Sequence, residues 1–144
     1  MSNFSKYDDR LDRLVNLDLG NRGIEPLYDA SRELAGGALC GAAADMLLAI
    51  PEGGTAIVTT GSVSRAWLTP KLGENDGPSG AAALIRAMWL ARRASCVLVI
   101  EETLMSPRAA TLQACGVAVT DLETTRRASA DGTLNQRQIV PISY

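Results

Sequence analysis

The stretch Glu74-Asn75-Asp76-Gly77-Pro78-Ser79-Gly80-Ala81 sets two carboxylates immediately before a glycine-proline turn and an apolar helical run. Two neighbouring carboxyl groups whose proton affinities are pushed apart can serve as acid and base in one reaction. Asp76 or Gly77 suits the N-cap, Pro78 the first helical position, and Gly80 leaves room for a close approach. Free N–H groups at such a helix end favour an anion, by roughly 0.3–1 kcal/mol from the dipole alone. The plainer alternative is an ordinary capped helix with solvated acids. A second stretch, Leu17-Asp18-Leu19-Gly20-Asn21-Arg22-Gly23, places glycines on either side of a guanidinium suited to gripping a carboxylate. Spacing alone leaves open a surface turn with a solvated Arg22.

What the chain lacks narrows the chemistry. It has no histidine, so a Ser-His-Asp or Cys-His device cannot be built from it, and proton transfers fall to Asp, Glu, Lys, Tyr or water. Its three cysteines, Cys40, Cys96 and Cys115, stand far apart in apolar surroundings and are expected to be reduced core thiols. Net charge is −2 with no basic cluster, which argues against a nucleic-acid partner. No Gly-x-Gly-x-x-Gly or Walker A sequence follows a strand, weakening a dinucleotide or nucleoside triphosphate site. The N-terminal residues carry Asp8, Asp9 and Asp12 without an apolar run, and nowhere do ~18 apolar residues follow one another. A soluble, cytoplasmic protein without a membrane partner is expected.

The elements that must position these residues follow from periodicity. Leu11, Leu14 and Val15 give residues 7–16 an amphipathic helical face, and Leu27, Ala30 and Leu34 do the same for 25–35, stopped by Gly36-Gly37. Residues 38–50 have Asp45 as their one charge, which predicts a helix buried on more than one side. Residues 55–60 form a buried parallel strand ending at Gly61, and 62–71 a loop over its carboxyl end. A mostly buried helix over 78–93 follows, with a narrow polar stripe at Ser79, Arg86 and Arg93. Residues 95–100 make a second strand ending in Glu101-Glu102. Then come a short helix at 106–114, a strand at 117–119, a surface excursion over 120–138, and an edge strand at 139–142 because Pro141 cannot donate to a ladder. The 144 residues suit one α/β domain, residues 1–144. The expected architecture is a Rossmann-like three-layer sandwich, a mostly parallel sheet with helices on both faces, with ligands at the carboxyl ends of the strands.

In this order and spacing, Asp18, Asn21-Arg22-Gly23, Thr60-Gly61 and Glu74-Asn75-Asp76-Gly77-Pro78-x-Gly80-Ala81 resemble the N-terminal half of the D-glutamate cyclase family, over about residues 14–120. The resemblance implies a hydro-lyase that converts D-glutamate to 5-oxo-D-proline with loss of water. It implies Glu74 and Asp76 as catalytic residues, and Asn21, Arg22, Gly23, Thr60, Gly61, Gly77, Gly80 and Ala81 as substrate-binding ones. The chain departs from the family pattern at Asn75, where threonine is usual, at Ser62, where an aromatic is frequent, and in lacking a glycine-rich acidic block of a second half. Cofactors are not expected, although Mg²⁺ or Mn²⁺ on Glu74, Asp76 and Glu101 is chemically possible. The apolar helices 38–50 and 78–93 predict a homo-oligomer, or a hetero-oligomer with a subunit carrying the missing half. The competing expectation is a non-catalytic binding or regulatory module for a small carboxylate or phosphate.

Overall fold

The computed structural model describes residues 5–61, 63–64, 67–69, 71–133 and 139–143. Parts of the expected loop at 62–71 and excursion at 120–138 lie outside them. The backbone groups into two compact units, Met1–Ala49 and Ile50–Tyr144.

The first unit holds three helices, α1 (Ser5–Val15), α2 (Ile24–Ala35) and α3 (Leu39–Leu48), with α3 in contact with the other two. Gly36, at φ 70°, ends α2: its N–H donates to the Glu33 carbonyl and that of Gly37 to the Arg32 carbonyl, the paired bonds of a left-handed helix stop. The expected apolar face of α1 is not what packs, since Leu11, Leu14 and Val15 are exposed while Asp12 is fully buried. The Asp12 carboxylate takes the Tyr28 hydroxyl at 3.0 Å and the backbone N–H groups of Leu39 and Cys40 at 2.7 Å each. It thereby ties α1 to α2 and to the uncapped start of α3. Burial of α3 on several sides is likewise corrected: none of its residues is buried, and Met46 is 76 % exposed.

The second unit runs β1 (Thr55–Thr59), α4 (Asp76–Arg92), β2 (Ser95–Val99), a 3₁₀ turn (Glu102–Leu104), α5 (Met105–Ala114), β3 (Ala118–Thr120), α6 (Leu122–Ala130) and β4 (Ile139–Ser143). The strands form one sheet in the order β1-β2-β4-β3, every neighbouring pair parallel. The result is a mixed α/β structure with a small parallel sheet. Its core joins Cys96, Leu98 and Ile100 to a single face of α4, where Pro78, Ala81, Ala82, Ile85, Met88 and Trp89 recur at helical spacing. The end of α4 fixes the start of β1: Gly53 N–H donates to the Arg92 carbonyl at 2.8 Å and Ser95 N–H to the Gly54 carbonyl at 2.9 Å. Thr55 thus faces Ser95, and the register holds to Thr59 opposite Val99.

Several expectations change here. Strand β1 lies at the sheet edge, not in its interior, and Ile57 is 71 % exposed. The wet side of α4 is broader than a stripe, because Leu84 and Leu90 also face outward. The surface excursion contains α6, capped by Asp121, whose carboxylate accepts the Thr124 N–H at 2.7 Å. Strand β4 is interior: it pairs with β3 through Pro141 and with β2 from Ile142 onward, so the proline stands where pairing passes from one neighbour to the other. Of the thiols, Cys96 is buried and pushed up to about 11 by that burial, Cys40 is half-buried, and Cys115 is exposed rather than in a core. All three are free. Among the described residues no helix is long and apolar enough to cross a membrane.

Candidate functional site

In the second unit the chain leaves β1 at Thr60-Gly61, with the Thr60 N–H still donating to the Val99 carbonyl at 3.2 Å. Gly61 is required twice over. Its φ is +95°, and a Cβ there would stand 2.8 Å from Cγ1 of Ile100. Gly77, in the first turn of α4, is equally constrained, because a Cβ would meet Thr60 Oγ1 at 2.6 Å. Three of the expected substrate-binding residues, Thr60, Gly61 and Gly77, are therefore neighbours, with the start of α4 seated on the end of β1. Beside them an open hollow of about 490 Å³ is lined by Thr59, Thr60, Gly61, Val99, Ile100 and Glu101. It occupies the carboxyl ends of β1 and β2, the position where parallel sheets hold ligands.

Helix α4 starts earlier than the sequence suggests. Asn75 occupies the cap position without a capping side-chain bond, and Pro78 is the third helical residue, fully buried. The Asp76 carboxylate accepts the Gly77 N–H at 3.0 Å, and the Ser79 hydroxyl donates to the Asn75 carbonyl at 3.2 Å. Glu74 and Asp76 are exposed. A Cβ on Gly80 would meet nothing within 4 Å, so no neighbour exploits its small size, and the Ala81 side chain turns into the core.

Sequence reasoning missed Arg108. It is the one charged residue of α5, only 7 % exposed, and its Nη2 donates to the backbone carbonyl of Glu74. Gly73 makes room for it: a Cβ there would overlap the guanidinium and lie 2.9 Å from Cδ1 of Leu104. Val63 bridges Gly73 in antiparallel fashion, and the Ser64 N–H donates to the Leu72 carbonyl at 2.8 Å, so the acidic turn is entered from a short two-stranded ribbon. A lone charge within an otherwise uncharged ten-residue helix was the available signal.

In the first unit, Asp18 already fills the anion position that the Asn21-Arg22-Gly23 turn seemed to offer. Its carboxylate accepts the N–H groups of Arg22 at 2.9 Å, Gly23 at 2.8 Å and Ile24 at 3.1 Å. The Arg22 bond, followed by that of Ile24, draws the Asp18 carboxyl below its ordinary range. Asn21 and Gly23 sit at φ 48° and 80° to point these donors inward. The Asn21 and Arg22 side chains are exposed. A cavity of about 590 Å³ adjoins this turn, with Asp18, Glu25, Tyr28 and Arg32 in its wall. Among the described residues no three His, Cys, Asp or Glu side chains converge as a metal site, so Glu74, Asp76 and Glu101 do not form a ready-made one.

A family model described as D-glutamate cyclase-like, C-terminal, matches residues 11–141. The family is the one the motifs suggested. The matched region is its C-terminal one, which corrects the assignment to an N-terminal half. Neither the curated proteins nor the solved structures give a match.

Proposed function

This chain belongs to the D-glutamate cyclase-like family, and from that premise we propose that its Ile50–Tyr144 unit binds D-glutamate at the start of α4 and closes it to 5-oxo-D-proline with loss of water. In that reaction the α-amine, freed of its extra proton, attacks the γ-carboxyl carbon. A C–N bond forms and a C–O bond breaks; the nitrogen gives up a second proton as the lactam forms, and the departing γ-carboxylate oxygen takes up two protons and leaves as water. Glu74 and Asp76 are proposed to carry these two protons from nitrogen to the departing oxygen, with the amine held about 3 Å from the carbonyl carbon. Backbone N–H groups of the uncapped α4 start would stabilise the developing oxyanion.

The observation that carries this proposal is the seating of Gly77 on Thr60-Gly61, which sets an uncapped helix start beside a hollow at the sheet's carboxyl edge. Reversal of the connection direction between β2→β3 and β3→β4 also favours α6 on the opposite sheet face from α4 and α5, hence three layers. Chromatographic detection of 5-oxoproline from D-glutamate tests the activity. Glu74→Gln and Asp76→Asn are expected to lower kcat about 100-fold or more with little change in KM. Unchanged turnover in both would remove these residues from the mechanism.

A second function is favoured by the exposure of Glu74 and Asp76 and by the openness of the hollow at the strand ends: ligand binding without turnover, as a regulatory module for a small carboxylate or phosphate. Calorimetry with glutamate, 5-oxoproline and inorganic phosphate separates the two, since binding with no product formed supports the module. Arg22→Ala in the same titration tests the carboxylate-gripping role proposed for that exposed guanidinium.

A further inference from the structure

We infer that Arg108 is the positioning residue of the acidic turn, holding Glu74 by its backbone and placing a fixed buried cation behind it; the inference rests on the cyclase function proposed above. Arg108 is more than nine-tenths buried, yet no carboxylate lies within ion-pair distance of it among the described residues. Its one described acceptor is the Glu74 carbonyl, and its Nε is buried with no acceptor among the described residues. Burying a guanidinium whose Nε finds no acceptor among the described residues is costly. A neutral amide could hold a carbonyl oxygen at a lower cost, so the charge has a use of its own.

The surroundings say what that use is. Glu74 precedes α4 and Asp76 opens it, while Glu101 and Glu102 follow β2, so acids crowd the same end of the sheet that a dicarboxylate must approach. A cation beneath the turn offsets that accumulation of negative charge without entering the hollow, whose lining does not include Arg108. Leu104 connects the two places: a Cβ on Gly73 would lie 2.9 Å from its Cδ1, and one on Gly61 3.7 Å from the same atom. Movement at Arg108 would therefore be felt at the Thr60-Gly61 wall as well as at Glu74. The absence of side-chain cover at Gly73 fits this device, since any Cβ there would evict the guanidinium.

The experiment compares Arg108→Gln and Arg108→Lys with the unaltered chain in two measurements, cyclisation of D-glutamate and amide hydrogen exchange. Arg108→Gln is expected to lower kcat about 100-fold while KM stays within about threefold, and Arg108→Lys, which keeps the charge but not the fork, to recover about tenfold of the loss. Exchange in Arg108→Gln should accelerate about tenfold or more at residues 72–80 and stay unchanged in β1 and β2. A rise in KM with kcat retained would overturn the inference in favour of a substrate clamp. Exchange that accelerates everywhere, or nowhere, would overturn it too. If the unaltered chain forms no 5-oxoproline, the cyclase proposal fails by itself and exchange alone decides: local acceleration upholds the hold on the turn, and any other pattern refutes it.

Discussion

Asp12 carries more of the first unit than any apolar side chain of α1. Burial pushes its carboxyl up, but the Cys40 N–H and thiol, the Leu39 N–H and the Tyr28 hydroxyl outweigh that and hold it at about 2, against an ordinary 3.8. Because the folded value lies below the unfolded one, the stabilisation is fully present above about pH 4 and is lost as pH falls toward 2; the shift corresponds to about 2 kcal/mol. Helical circular dichroism titrated with acid should show this loss between pH 4 and 2. In Asp12→Asn that transition should vanish, and stability to urea at neutral pH should drop by about 2 kcal/mol. An unaltered acid transition in the variant would show that another group carries it. Nothing in the spacing of residues 7–16 could have revealed this, because the donors belong to α2 and α3. By contrast the close approach of Thr60, Gly61 and Gly77 follows from features the sequence displays, since turn chemistry and strand ends are local properties. Arg108 was not legible, because its partner is a backbone carbonyl 34 residues away.

At the scale of elements, the decisive contact is between the first turn of α4 and the end of β1. Gly77→Ala should push the helix start away from Thr60 and cost about 1–3 kcal/mol, as inserted methyl groups do in close-packed places. Thr60→Ala removes the hydroxyl that the new methyl would strike, so the double variant should recover most of the loss, a coupling that urea melts of all four proteins would measure. Simple additivity would mean that the two residues do not meet. Strands β1 and β2 were readable as short β-prone runs. Helix α6 went unread because its apolar residues are few, although Asp121 and the glycine at 132 bracket it: the Thr133 N–H donates to the Ala128 carbonyl at 2.9 Å, closing it as Gly36-Gly37 closes α2. Pro141 misled because a proline argues for an edge only if the strand keeps one neighbour on each side throughout, and β4 changes neighbour at that residue.

For the whole molecule, the outstanding property is exposed apolar surface. Leu34 is 91 % exposed and Met46 76 %, and on the second unit Ile57 and Leu90 are open to solvent. At roughly 25 cal/mol per Å², burying several hundred Å² of such surface is worth several kilocalories per mole, enough to drive association. We expect a homo-oligomer, or a hetero-oligomer with another subunit. Multi-angle light scattering on the chain alone should give a mass above that of one copy, and a monomer persisting at high micromolar concentration would contradict self-association. The order β1-β2-β4-β3 has a further consequence, for synthesis at the ribosome. The strand that joins β2 to β3 is the last of the four to be translated, so β2 and β3 leave the exit tunnel with no partner between them. The hollow at the ends of β1 and β2 can form early on the nascent chain, but the sheet behind it closes only when Ile139–Ser143 has emerged.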